Sequence, residues 1–206
     1  MIALFSLQEW AIIAGGVAGG YLIGSISSAV LICQLFGLPD PRKAGSYNPG
    51  ATNVLRLGGK LPALLTLICD VAKGAIPVLA VKYVSTNPWI ISSTMVAAIL
   101  GHLYPIFFGF KGGKGVATLI GAITALSFYL GGIFIFVWIG VFALTRYSSF
   151  SALVATISMP GFAYGFMDVR YMPALVLLTL IVVIKHRENI ERLLTGKETK
   201  SNFSKK

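Results

Sequence analysis

The chain is poor in charge. Only 12% of its 206 residues are Asp, Glu, Lys or Arg, roughly half the share usual in a soluble domain. Acidic residues are scarcest, seven against seventeen Lys and Arg, leaving a net charge of +10. Cysteine is nearly absent. Cys33 and Cys69 lie in apolar runs with neither C-x-x-C spacing nor a nearby histidine, which excludes a disulfide framework and a zinc site, and both read as small apolar fillers. No Lys or Arg precedes Arg42, so the first apolar run lacks the basic start of a signal peptide and reads as a retained helix with its N-terminus outside. Two phosphate signatures are also missing. Around "GFKGGKGVAT" (109–118) the P-loop pattern fails because Phe108 stands five before Gly113 and Gly115 follows Lys114; G-x-G-x-x-G fails because Gly113-x-Gly115 leads to Thr118.

What the chain has is apolar length. Hydrophobic residues make up 56% and the mean hydropathy is +0.81. Several runs approach the ~20 residues that cross a bilayer core. The fold expected is all-α, one polytopic membrane domain over 1–206, with candidate spans at 8–36, 61–83, 89–108, 116–128, 131–145, 150–167 and 172–185. Merging or demoting the shorter ones leaves a five-span alternative. A seven-span reading puts fourteen of the seventeen Lys and Arg on one side, in 37–60, 109–115, 146–149 and 185–206, and only Lys82 and Arg170 on the other. The positive-inside rule makes the crowded side, and the C-terminus, cytoplasmic. The basic balance therefore needs no nucleic acid. Residues 194–206 read as a flexible basic tail.

The polar chemistry collects on that same side. In "GSYNPGATNVLRLGG" (45–59), Asn48 as N-cap and Pro49 in the first turn predict a short helix to about Leu57, its free amides toward Ser46 and Asn48. Thr52 and Arg56 share a face, and Arg56 offers a fork for an oxyanion. In the glycine stretch, Gly112, Gly113 and Gly115 let backbone amides approach a ligand, Lys114 adds a charge, and a helix N-terminus follows at Val116. "TRYSSFS" (145–151) starts another helix that Ser149 or Ser151 caps. His186, Arg187 and Asn189 follow the last apolar run, while His102 ends the third. Within the second run Asp70 and Lys73 stand at i, i+3, either as a helix-packing pair or as part of a proton path. Taken singly, each segment also fits an interfacial helix or a basic loop; together they describe oxyanion binders without an evident acid–base pair. That favours positioning and electrostatic stabilisation of a phosphorylated substrate. H-x4-D is absent, since His102 meets Phe107 and His186 meets Glu191 at that spacing. An anion transporter explains the spans and the basic face but needs polar residues through the membrane, where only Asp70 and Lys73 are clear candidates; in an assembly protein the glycine-rich loops serve packing.

The three stretches "GSYNPGATNVLRLGG", "GHLYPIFFGFKGGKGVAT" and "KHRENIERLLTGKE", in this order across nearly the whole chain, resemble the motifs of the PlsY-type acyl-phosphate:glycerol-3-phosphate acyltransferases of bacteria. The resemblance implies a bacterial inner-membrane enzyme with a cytoplasmic-face site. It moves a fatty acyl group from acyl phosphate to the sn-1 hydroxyl of glycerol 3-phosphate, giving lysophosphatidic acid and phosphate for phospholipid synthesis. It implies no metal and no cofactor; its partners are the two substrates, membrane lipids and a soluble enzyme supplying acyl phosphate. By this resemblance Ser46, Arg56 and His186 are catalytic. Asn48, Thr52, Asn53 and Asn189 join the binding set, Gly112, Gly113 and Gly115 hold the acyl phosphate, and Lys114 holds the phosphate of glycerol 3-phosphate. The chain departs at Ala152, where some relatives carry a phosphate-contacting serine that Ser149 or Ser151 replaces here, and at Tyr47 and Pro49, where small or aliphatic residues are common.

Overall fold

A computed structural model describes residues 5–201. Among these there are helices, turns and loops but no strand. The helices are α1 (Leu7–Gly24), α2 (Ser28–Leu35), α3 (Ala51–Gly58), α4 (Lys60–Val84), α5 (Pro88–Leu103), α6 (Val116–Leu126), α7 (Phe128–Thr145), α8 (Ser148–Tyr164), α9 (Met172–Lys185) and α10 (Arg187–Leu194). Each of the seven apolar segments carries a helix, but the first is broken. Gly24 sits where a Cβ would overlap the Ala98 carbonyl on α5, and the chain turns through Ser25–Ser27 before restarting. The Ile26 carbonyl at the break accepts from the Ser28 amide at 3.1 Å and from Lys73 Nζ at 2.7 Å, so a buried cation adds a second donor there.

Length and apolarity suffice for a membrane crossing in four segments: Leu7–Leu35, Lys60–Val84, Pro88–Phe108 and Phe128–Thr145. A fifth is counted if the pair Val169–Lys185 and Arg187–Leu194, bent by 59°, forms one span. Helix α6 has 11 residues, about 16 Å of rise against a ~30 Å hydrocarbon core. Glycines seat it closely: a Cβ at Gly74 would strike the Thr118 carbonyl, and one at Gly121 the Val71 carbonyl. Small residues at such crossings let backbones approach. At the far end of α6 the carbonyls of Ala125 and Leu126 accept from Lys82 Nζ at 2.7 and 2.8 Å. The central core joins Ile99 and Leu103 of α5, Leu119 and Ile123 of α6, and Leu178 and Val182 of α9. In contrast, α7 buries only Leu130, Gly131 and Phe134 and exposes Phe136, Ile139 and Leu144, the surface a helix turns toward lipid.

Candidate active site

The first polar loop is built around one side chain. Asn53 on α3 is 1% exposed. Its Nδ2 donates to the carbonyls of Pro41 (2.9 Å) and Ala44 (3.0 Å), and its Oδ1 accepts from the Ser46 amide at 2.9 Å. Asn53 thus shapes the loop and sets the Ser46 backbone, leaving the Ser46 hydroxyl without a hydrogen-bond partner among the described residues. Gly45, with φ +66, is needed there, because a Cβ would overlap Asn53 Oδ1. Helix α3 begins at Ala51 with Gly50 as N-cap and no side-chain cap, two residues later than the Asn48-capped helix expected. The Asn48 carbonyl instead accepts from Gly50 N at 3.0 Å, closing a turn. Thr52 Oγ1 meets Ser148 Oγ at 3.3 Å, bringing α3 to the start of α8. Arg56, one turn on, is exposed and has no hydrogen-bond or ion-pair partner among the described residues.

The glycine stretch lies against this loop. Arg42, paired with Asp40 at 2.8 Å, donates from Nη1 to the Phe108 carbonyl at 3.1 Å. Gly113 N donates to the His102 carbonyl at 3.2 Å, and a Cβ on Gly113 would overlap His102 Nε2 and lie 3.0 Å from the Pro49 carbonyl. Gly115 has φ +86 and is the N-cap of α6, whose first turn takes no side-chain cap. The helix start expected at Val116 is where the structure has it.

The C-terminal segment closes the third side. His186 forms the bend between α9 and α10 and is 3% exposed. Its Nδ1 is 2.8 Å from the Val182 carbonyl, so Nδ1 carries the proton and Nε2 is left as an acceptor. Burial pushes His186 down to about 4, with Lys114 adding to the effect, so the ring is neutral near pH 7. Asn189 receives the Lys114 ammonium on Oδ1 and donates from Nδ2 to Glu198 Oε1 at 2.7 Å. Burial lowers Lys114 to about 8, aided by Arg192 and Arg56 and opposed by Glu198 and Glu188. Cations from three parts of the chain therefore share one field.

Glu198 is the residue sequence reasoning missed. Read as part of a loose tail, it folds back instead: Oε1 accepts from Ser149 Oγ at 2.6 Å and Oε2 from Arg192 Nε at 2.7 Å. Burial alone would raise its carboxyl, but hydrogen bonds from Ser149, Arg192 and Asn189 hold it below the usual range. The tail expected over 194–206 is thus tied down as far as Ser201, whose amide donates to the Arg146 carbonyl at 2.9 Å; residues 202–206 lie outside the described part. The readable signal was Gly196, with φ +69, a reversal just past a helix end. The expected serine cap is corrected too: α8 starts at Ser148 with Tyr147 as N-cap and no side-chain cap. Ser149 faces Glu198, whereas Ser151 is fully buried and donates its hydroxyl to the Tyr147 carbonyl at 2.8 Å. The three stretches singled out in the sequence therefore meet in one place, with Gly113 close to Pro49 and Lys114 on Asn189, and the start of α8 joins them through Thr52 and Ser148.

Beside this polar cluster lies a cavity of about 280 Å³ between α3, α4, α7 and α8. Thr52 and Ser148 lie at its polar margin, and Leu55, Leu67, Trp138 and Phe142 give it apolar walls. Among the described residues no three His, Cys, Asp or Glu side chains cluster as a metal site.

The sequence model of one family, described as glycerol-3-phosphate acyltransferase, matches residues 14–196. The chain belongs to the glycerol-3-phosphate acyltransferase family. It is 51% identical over 180 residues to the glycerol-3-phosphate acyltransferase of Francisella tularensis subsp. novicida, covering 87% of this chain and 88% of that one. It is 49% identical to the Francisella philomiragia enzyme over the same shares. Among solved structures it resembles PlsY, an integral membrane glycerol 3-phosphate acyltransferase, in its glycerol 3-phosphate form, with a TM-score of 0.88, 41% identity, and coverage of 92% of this chain and 96% of that one. The lysophosphatidic acid form of PlsY gives 0.86 and 40%, covering 93% and 96%. The PlsY-type resemblance read from the three motifs is thereby established, and the chain is an integral membrane acyltransferase of all-helical fold. The family match contains every site residue predicted from the sequence; Glu198 lies two positions beyond its end.

Proposed function

We propose that this acyltransferase takes its acyl group from an acyl phosphate and transfers it to the sn-1 hydroxyl of glycerol 3-phosphate, releasing lysophosphatidic acid and inorganic phosphate. The observation that carries this reading is the junction of Gly113, Lys114, Arg56 and Asn189 into one cationic, glycine-lined site that opens beside an apolar cavity. Such a junction suits a ligand with a phosphate at one end and a hydrocarbon chain at the other. Lys114 and the unpaired Arg56 bind the phosphate of glycerol 3-phosphate. The Gly112–Gly115 amides and the uncapped start of α6 hold the phosphate of the donor, with its chain along Leu55, Leu67 and Trp138.

In the reaction the sn-1 oxygen attacks the acyl carbonyl carbon. The C–O bond to the phosphate breaks as the new ester forms, and the hydroxyl proton passes to the departing phosphate. The protein's part is to align the two anions and neutralise their mutual repulsion. Ser46, with its free hydroxyl, and neutral His186 contact the reacting groups. Asn48, Thr52, Ser149 and Asn189 border the bound phosphates, and Asn53 keeps Ser46 in place. Ser151, buried and turned to its own helix, supports the start of α8.

Seven passes, with α1–α2 as one broken pass and α6, α8 and α9 as short ones, leave the N-terminus outside and this site at the cytoplasmic face of a bacterial inner membrane. The distribution of Lys and Arg supports that orientation. A soluble enzyme delivers acyl phosphate to the same face. Purified protein given acyl phosphate and glycerol 3-phosphate is expected to release phosphate and form lysophosphatidic acid, with acyl-CoA inert. Turnover with acyl-CoA in place of acyl phosphate contradicts the donor assignment.

A further inference from the structure

The bend that carries His186 is braced from outside the polar cluster. Lys185 is the last residue of α9, and at His186, the next residue, the chain turns by 59° into α10. The His186 amide donates to the carbonyls of Val182 and Val183 at 3.1 and 3.0 Å, and its ring folds back on the Val182 carbonyl. Those bonds lie within one turn of α9 and set the ring relative to its own helix. Lys185 reaches across to α5 instead: its Nζ lies 4.0 Å from the centroid of the Tyr104 ring. Tyr104 is the C-cap of α5, and its carbonyl accepts from Tyr21 Oη of α1 at 2.9 Å. Its backbone is thereby tied to α1 and its ring to α9. A lysine in the last turn of a helix suits the helix dipole wherever its side chain points. This one is partly buried and has no carboxylate within ion-pair distance among the described residues, so the aromatic face is the partner that directs it.

We infer that Lys185, braced on the ring of Tyr104, is a positioning residue that holds the α9–α10 bend and so sets His186 against the reacting groups. This rests on the role given to His186 above. The test removes either half of the brace in the purified full chain. Lys185→Gln and Tyr104→Leu should each lower kcat about tenfold, as a small misplacement at the reacting centre does, with the unfolding midpoint within a few degrees of the parent. Both remove the same contact, so the double variant falls no further than the worse single one. Lys185→Arg keeps a cation for the ring and Tyr104→Phe keeps the aromatic face, so each stays within about threefold of the parent. A second readout needs no substrate. The chain has two histidines, and nitrogen-15 spectra of histidine-labelled protein, with His186→Ala to assign the signal, follow the ring directly. Lys114 and Glu198 are the charges that act on it, and neither brace variant changes them. In Tyr104→Leu the ring should nonetheless titrate at higher pH, moving from about 4 toward the ordinary 6.5 as it leaves its buried pose. A general loss of stability moves the melt but not this titration. Additive kcat losses in the double variant, no rescue by Lys185→Arg, or an unmoved His186 titration in Tyr104→Leu overturns the inference. Full activity in His186→Ala overturns the role given to that residue, and the inference with it.

Discussion

The two ends of α6 are treated in opposite ways. At Leu126 the last carbonyls are satisfied by the Lys82 ammonium, and Ser127 then caps α7 by accepting from the Leu130 amide at 3.3 Å. At Val116 the first turn has no side-chain cap, and the residue before it is a glycine in the left-handed region. Free amides at a helix start cost stability unless something occupies them. This chain satisfies the helix carbonyls at the end away from the polar loops and leaves the first turn uncapped at the end where Lys114, Arg56 and Asn189 gather. One end is built for stability and the other for a ligand.

Substitutions at the open end should break this contrast most strongly. Lys114→Ala and Arg56→Ala each remove a cation from the shared field, and each should lower kcat/KM by roughly 100-fold with little change in the unfolding midpoint, since a charge-assisted contact is worth up to ~3 kcal/mol. Steady-state kinetics beside a thermal melt checks both halves of that statement.

A pH titration should sharpen the contrast next. Lys114 is lowered to about 8, so it loses its proton as pH rises through that value, and KM for the anionic substrate should climb by up to about tenfold per unit above it. Lys114→Arg should flatten that rise. The sign for stability is opposite. Between about 8 and the ordinary lysine value the unfolded chain holds the proton more tightly, so this group's penalty on folding is relieved as pH increases.

The smallest effect belongs to the satisfied end. Lys82→Met leaves two carbonyls of α6 without their donor, and should lower the melting midpoint by ~3 °C while leaving KM for both substrates alone. A loss of donor affinity in Lys82→Met would erase the distinction between the two ends.

The sequence made the helices and the three polar stretches legible because both are local. Apolar run length marks a helix, and glycine density beside lysine marks a loop that approaches a ligand. The helix start at Val116 was readable for that reason. What escaped was decided across distance. The first run breaks over 25–27, just past the point where Gly24 packs on Ala98. The Asn48-Pro49 signal for a cap lost to Gly50, whose amide closes a turn on the Asn48 carbonyl. Ser149 could not be told from Ser151 until α8 began at Ser148, ahead of both, and turned only Ser149 toward Glu198. Glu198 closes the third stretch but showed no role in the sequence, because its three partners lie 6, 9 and 49 positions away.

If the three stretches form a single phosphate site, binding of glycerol 3-phosphate to the purified protein, followed by calorimetry, depends on all of them. Arg56→Ala, Lys114→Ala and Asn189→Ala, one from each stretch, should each weaken that binding by about tenfold or more. Undiminished binding in the variants of any one stretch would contradict it.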